Sequence, residues 1–88
     1  MEQGAEPEIQ NIDMSDEMRD SALMITKDAF LKSTMVSEVA DHIKTQFEIL
    51  YGEDWQCIVA KSFSSAITPR ERSFIYFSYN DHYILLFR

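Results

Sequence analysis

Phe74-Ile75-Tyr76-Phe77-Ser78-Tyr79-Asn80-Asp81-His82-Tyr83-Ile84-Leu85-Leu86-Phe87 decides how the rest of this chain is read. Two runs rich in aromatic and branched residues flank Asn80-Asp81, a pair that tolerates positive φ. That pattern predicts a β-hairpin closed by a primed two-residue turn. Both runs are apolar on both faces. Helices can cover one face, but the other would remain as a patch too large for a soluble monomer. It is therefore either buried in a dimer or used as a binding surface. An open edge of such a sheet also invites another chain to pair with it.

Upstream, Pro69-Arg70-Glu71-Arg72 punctuates the chain, and Phe63 to Thr68 reads as a further strand after a turn at Lys61-Ser62. Trp55-Gln56-Cys57-Ile58-Val59-Ala60 is rich in strand formers. Before it, Val36, Val39, Ala40, Ile43, Phe47, Leu50 and Tyr51 keep one stripe of a helix, and Gly52 follows where a left-handed residue ends it. An earlier helix runs to about Lys32. Ser15 is its expected N-cap, with Asp16 and Glu17 in the first turn, where the helix dipole favours negative charge. Met18, Ala22, Ile25 and Ala29 form one face. Leu23, Met24, Phe30 and Leu31 widen it, which predicts neighbours on more than one side. Glu8 to Ile12 alternates as a short strand, and residues 1–8 read as an acidic flexible tail ahead of a domain over 9–88. The expected class is α+β, with two helices against an antiparallel sheet.

Composition agrees. The chain has 88 residues, 45% of them hydrophobic and 26% charged, with two Gly and two Pro. That is one globular domain rather than a disordered or fibrous chain. Cys57 is the single cysteine, so packing or a partner subunit must replace disulfides, and a reducing compartment is expected. The acidic opening has no apolar h-region, so no secretory signal is expected. No run approaches the ~20 residues of a membrane span, so membrane insertion is not expected either. Of the net charge of −7, residues 1–20 carry −6 (seven acids, one base) and residues 21–88 carry −1. With no Lys/Arg stripe, nucleic acid is a poor partner. The acidic front is better read as a solvated tail than as a docking site.

No catalytic set emerges. His42 and His82 are read as packed or surface side chains, because no nucleophile or paired ligand is placed beside them. Cys57, in a strand, is read as a buried inert thiol. The two histidines and one cysteine lack closed-site spacing for zinc, and the isolated glycines cannot form a phosphate loop. No cofactor or metal is expected. Met14, Met18, Met24 and Met35 are read as core filler. Tyr76, Tyr79 and Tyr83 suit a sheet face or an interface. The composition reads as a non-enzymatic association module.

At this point the chain resembles the small cytoplasmic dynein light chains of the light-chain-eight class. The segments that carry the likeness are Ile9-Gln10-Asn11-Ile12-Asp13-Met14-Ser15, Glu17-Met18, Ala40-Asp41-His42-Ile43-Lys44, Trp55-Gln56-Cys57-Ile58-Val59, Phe74-Ile75-Tyr76-Phe77 and Ile84-Leu85-Leu86-Phe87-Arg88. The resemblance implies two helices packed on a five-stranded antiparallel sheet, completed by a strand, here Phe63 to Thr68, that crosses over from the partner of a homodimer. It implies no enzymatic activity. It implies two symmetric grooves in which short disordered client segments, including those of the dynein intermediate chain, add a strand. It also implies a cytoplasmic, cytoskeleton-associated protein. The groove residues so implied are Gln10, Asp13, Val36, Ser37, Ser62, Phe63, Ser64, Ser65, Ala66, Ile67, Thr68, Tyr76, Ser78 and Leu85. The implied dimer-interface residues are Lys44, Trp55, Gln56, Phe63, Ser65, Ala66 and Thr68.

The sequence departs from the family pattern where clients are read. The crossing strand is usually Asn-Phe-Gly-Ser-Tyr-Val-Thr-His. Here Ser64 stands for the Gly and Ala66 for the Tyr, Ser78 replaces a further Tyr, and Val36-Ser37 replaces a Glu-Lys pair. Strand addition is retained in this reading, while the glutamine-centred client motif is placed in doubt. A divergent dimeric scaffold independent of the motor is the alternative. The family's interface histidine is Gln56 here, which cannot titrate. A dimer that survives mild acid is therefore expected. Sedimentation at pH 7 and pH 5 checks this, and dissociation between those values counts against it unless substitution of His42 or His82 removes the effect.

Overall fold

The computed structural model describes residues 6–88, so the tail expected over residues 1–8 lies mostly outside the described residues. The elements run β1 (Glu8–Asp13), α1 (Asp16–Lys32), α2 (Val36–Tyr51), β2 (Gln56–Ala60), β3 (Phe74–Tyr79) and β4 (His82–Phe87). Glu8, placed at the end of the tail, is the first residue of β1, and Glu6 just before it pairs with Lys27 of α1 at 3.1 Å.

All strand pairs are antiparallel, in the order β1-β3-β4-β2. The hairpin forms as expected. Tyr79 pairs with His82, and Asn80 and Asp81 sit at φ 54° and 63°, the primed-turn conformation their short polar side chains tolerate. Alternation then sorts the side chains. Ile75, Phe77, Ile84 and Leu86 point to the helices and are fully buried. Phe74, Tyr76, Ser78, Tyr83, Leu85 and Phe87 share the outer face. Both faces are apolar, as the sequence reading required.

Ser15 caps α1, its Oγ accepting from the Met18 N–H at 3.1 Å. Gly52 ends α2 at φ 96°, with its N–H on the Glu48 carbonyl. Val39, Ile43 and Phe47 are the buried line of α2, while Val36 and Leu50, though on the same stripe, are exposed. The expectation that α1 needs neighbours on more than one side holds for part of its apolar surface: Leu23 and Ile25 pack against the core and Phe30 meets the Tyr79 and His82 rings at 5.5 and 5.4 Å, while Met24 stays exposed. Ala22, Thr26 and Ala29 face α2 and the core, and Leu31 is 86% exposed. Met14 is buried and Met18 packs on the core, but Met24 and Met35 lie on the surface. At those two positions helical spacing did not reveal which neighbours were missing.

The core centres on Trp55, which precedes β2 rather than opening it. Its ring is fully buried, with Phe47 at 4.7 Å edge-on and the Arg88 guanidinium 5.1 Å from its centroid. Arg88 also donates to the Tyr51 carbonyl, so the chain's last residue clamps the end of α2.

Four strands lie in one chain's sheet, and Phe63–Thr68 is not among them. A strand is defined by a partner, and among the described residues that segment pairs with neither edge of its own sheet, β1 or β2. Phe47→Ala should cost about 3–5 kcal/mol of stability by leaving a core cavity. Leu31→Ala should change stability by less than about 0.5 kcal/mol. Urea unfolding followed by tryptophan fluorescence measures both.

Candidate peptide-binding groove

Residues 61–69 connect β2 to the turn before β3. None of their backbone groups makes a backbone hydrogen bond among the described residues, and none of their side chains makes one either. Nine consecutive residues thus have free main-chain donors and acceptors apart from the proline nitrogen. Fully extended they reach about 30 Å at ~3.3–3.6 Å per residue. The C-terminal end of this segment is anchored. Arg70 N–H donates to the Arg88 carbonyl at 2.6 Å, Arg88 N–H to Ser73, and Ser73 N–H to Arg70. Arg72 takes φ 60°, and its N–H is held by Asp13 Oδ2 at 3.0 Å, with its guanidinium 3.8 Å from Oδ1. The carboxylate at the end of β1 therefore fastens the turn.

Between this segment and the outer face of the sheet lies a 550 Å³ cavity. It is lined by Asn11, Asp13, Phe63, Ser65, Ala66, Ile67, Pro69, Phe74, Tyr76 and Leu85. Leu85 is buried yet stands outside the core cluster, because its register partners Tyr76 and Ile58 share the face turned from the helices. Phe63 meets Tyr76 edge-on at 5.8 Å, and Tyr76 stacks on Tyr83 at 5.8 Å.

Seven of the expected groove residues thus come together: Asp13, Phe63, Ser65, Ala66, Ile67, Tyr76 and Leu85. Ser62, Ser64 and Thr68 lie on the same segment, exposed, but do not line the cavity. Gln10 falls at the irregularity where the β1 register shifts between Ile9 and Asn11, and its amide turns back to Glu8. Ser78, opposite Glu8 and Tyr83, lines a separate hollow at the hairpin tip. Ser37 lines another hollow with Glu38, Asp41 and His42, and Val36 begins α2 beside it. Asn11, Pro69 and Phe74 line the cavity without having been singled out. Pairing of Asn11 with Tyr76 and of Phe74 with Asp13 puts them there, and strand register is not written in a single strand's sequence.

Of the expected interface residues, Trp55 is fully buried in the core of the single chain. Lys44 is occupied by the Trp55 carbonyl at 2.6 Å and Glu48 at 3.1 Å. Gln56 is exposed at the start of the edge strand β2.

The remaining chemistry is inert. Burial pushes the Cys57 thiol from 9.0 up to about 12, against the opposing pull of the Lys44 charge. His42 Nε2 lies 3.4 Å from Asp28, and His82 Nδ1 2.7 Å from the Asn80 carbonyl. Among the described residues no group of His, Cys, Asp or Glu is placed to hold a metal ion, and no helix is long and apolar enough to cross a membrane.

A sheet with two helices on one face and an unpaired segment beside the other defines a small α+β module. The family described as dynein light chain type 1 matches residues 6–88, and the chain belongs to it. It is 35% identical over 83 residues to a cytoplasmic dynein light chain of Emericella nidulans, covering 94% of this chain and 88% of that one. It is 39% identical over 80 residues to a dynein light chain of Schistosoma mansoni, covering 91% and 90%. The fold matches the dynein light chain-like domain of a Fasciola hepatica calcium-binding protein with a TM-score of 0.82 at 22% identity, over 96% of this chain and 91% of that one. The family is non-catalytic, and this chain is not an enzyme.

Iodoacetamide should alkylate Cys57 at pH 8 at least about a hundredfold more slowly in the folded chain than in denaturant, since the thiolate is the nucleophile. The folded chain holds this proton more tightly than the unfolded one. The thiol's contribution to stability is therefore complete below the ordinary thiol pKa and falls as pH rises from there toward about 12. Mass spectrometry of quenched samples and urea unfolding at pH 7 and pH 10 check the two.

Proposed function

We propose that this protein is a homodimeric light-chain hub of the dynein motor, cytoplasmic and cytoskeleton-associated. It binds short disordered client segments, including those of the dynein intermediate chain, by strand addition in two symmetric grooves. The observation that carries this reading is the run of unpaired backbone over residues 61–69 beside an aromatic-walled cavity. An extended chain has two hydrogen-bonding edges. One can pair with a second copy's sheet through Phe63–Thr68, and the other can accept a client strand. The apolar outer face, with Tyr83 and Ile58 each more than a third exposed, supplies the surface such a dimer would bury. Dimerisation makes the hub bivalent, so two weak contacts align two client chains.

A second reading, a scaffold with altered clients that acts independently of the motor, is favoured by Val36, Ser37, Ala66 and Ser78. None of the four is the residue the family usually carries there, and only Ala66 lines the cavity. Calorimetry with a glutamine-containing peptide of the family type separates the two, and no heat at high micromolar concentration favours the second. Phe63→Ala should shift the dimer toward monomer in a sedimentation dilution series by far more than Glu6→Ala. An aromatic buried between subunits is worth about 3–5 kcal/mol, whereas Glu6 makes one exposed ion pair. Ile67→Pro removes a main-chain donor from the segment and should weaken client binding while the fold survives. Equal behaviour of all three variants counts against the crossing segment.

A further inference from the structure

Among the described residues the cavity beside residues 61–69 has one charged lining residue, Asp13, and that carboxylate is already engaged. Arg72 reaches it through its backbone N–H at 3.0 Å and its guanidinium at 3.8 Å. No Lys, Arg or His lines the cavity. An occupant therefore meets no uncompensated charge, and a charged side chain would lose hydration without a partner in return. The opposite holds for apolar groups. Tyr76 is gripped on both sides, by Phe63 at 5.8 Å edge-on and by Tyr83 stacked at 5.8 Å, so the wall it forms is already ordered. Leu85 forms an apolar floor that the core does not use. The polar part of the lining includes Asn11 and Ser65, beside a segment whose backbone is free to pair with another backbone. The volume, 550 Å³, lies in the ~300–1,000 Å³ range of ligand sites. Ala66 is the smallest side chain on the lining, and a larger residue there would fill the space.

We propose that this cavity selects a client segment by one large, uncharged apolar side chain, seated over Ala66 against Phe63, Tyr76 and Leu85, and that Ala66 sets the size admitted. This rests on the strand-addition reading above: backbone pairing holds the segment, and the apolar anchor chooses it.

The test uses the full chain and fluorescein-labelled decapeptides of a Ser/Thr background that differ only at one central position, carrying Leu, Phe, Gln, Lys or Glu. In fluorescence anisotropy the Leu and Phe probes should bind at least about tenfold more tightly than the other three, as expected for burying a whole apolar side chain. Ala66→Tyr should erase that preference with the thermal midpoint held within about 3 °C. If that variant does not fold, Ala66→Val should weaken the Phe probe more than the Leu probe. Gln, Lys or Glu probes binding as tightly as Leu and Phe would overturn the apolar anchor and leave strand addition standing. An Ala66→Val protein that treats Phe and Leu as the parent does would overturn the role of Ala66. Failure of all five probes at millimolar concentration would overturn both the anchor and the groove on which it rests.

Discussion

A stretch of backbone without a hydrogen-bond partner among the described residues of its own chain is the constraint on which the rest of this structure turns. Each strand of the sheet is laddered to at least one neighbour, whereas residues 61–69 make no backbone hydrogen bond among the described residues. In an isolated chain water must serve those amides and carbonyls. Any second strand that lies alongside replaces water with ladder bonds and brings side chains onto an apolar face at the same time. Both gains point the same way. In the proposed strand addition, affinity would come mainly from main chain, and selectivity from the few side chains that line the cavity.

The segment is held at its ends but not along its length. Where β2 stops, the chain leaves the sheet. It is recaptured by the turn at 70–73, fastened to β4 through Arg88 and Ser73 and to β1 through Asp13. Beneath these anchors the core is rigid. Trp55 lies between Phe47 and Arg88, and Arg88 in turn grips the end of α2. The helices cover only one face of the sheet, so the rigid half of the molecule presents the outer face and its aromatic row as a prepared surface. Catalysis has no foothold in this arrangement. The one thiol is held protonated by burial, and neither histidine is paired with a nucleophile.

The departures from the family pattern are spread over the fold rather than gathered at the cavity. Ala66 lines the cavity, whereas Val36 and Ser37 at the start of α2 and Ser78 near the hairpin tip do not. Around the cavity the fold's own pairing engages Asp13, leaving aromatic and aliphatic walls and the uncharged Asn11 and Ser65.

Local chemistry alone determined much of this protein. The 80–81 turn follows from two residues that tolerate positive φ, the start of α1 from the Ser15 hydroxyl, the end of α2 from Gly52, and the buried line Val39–Ile43–Phe47 from helical spacing. The two-faced hairpin was legible too, because alternation is a property of single strands. Tertiary structure decided what depends on neighbours: that Met24 and Met35 lie outside while Met14 lies within, that Trp55 belongs to its own core, and that Asn11 and Phe74 meet at the cavity. It decided also that Phe63–Thr68 pairs with no strand among the described residues. Periodicity reports which residues share a face, but only the packing of distant elements sets what that face meets.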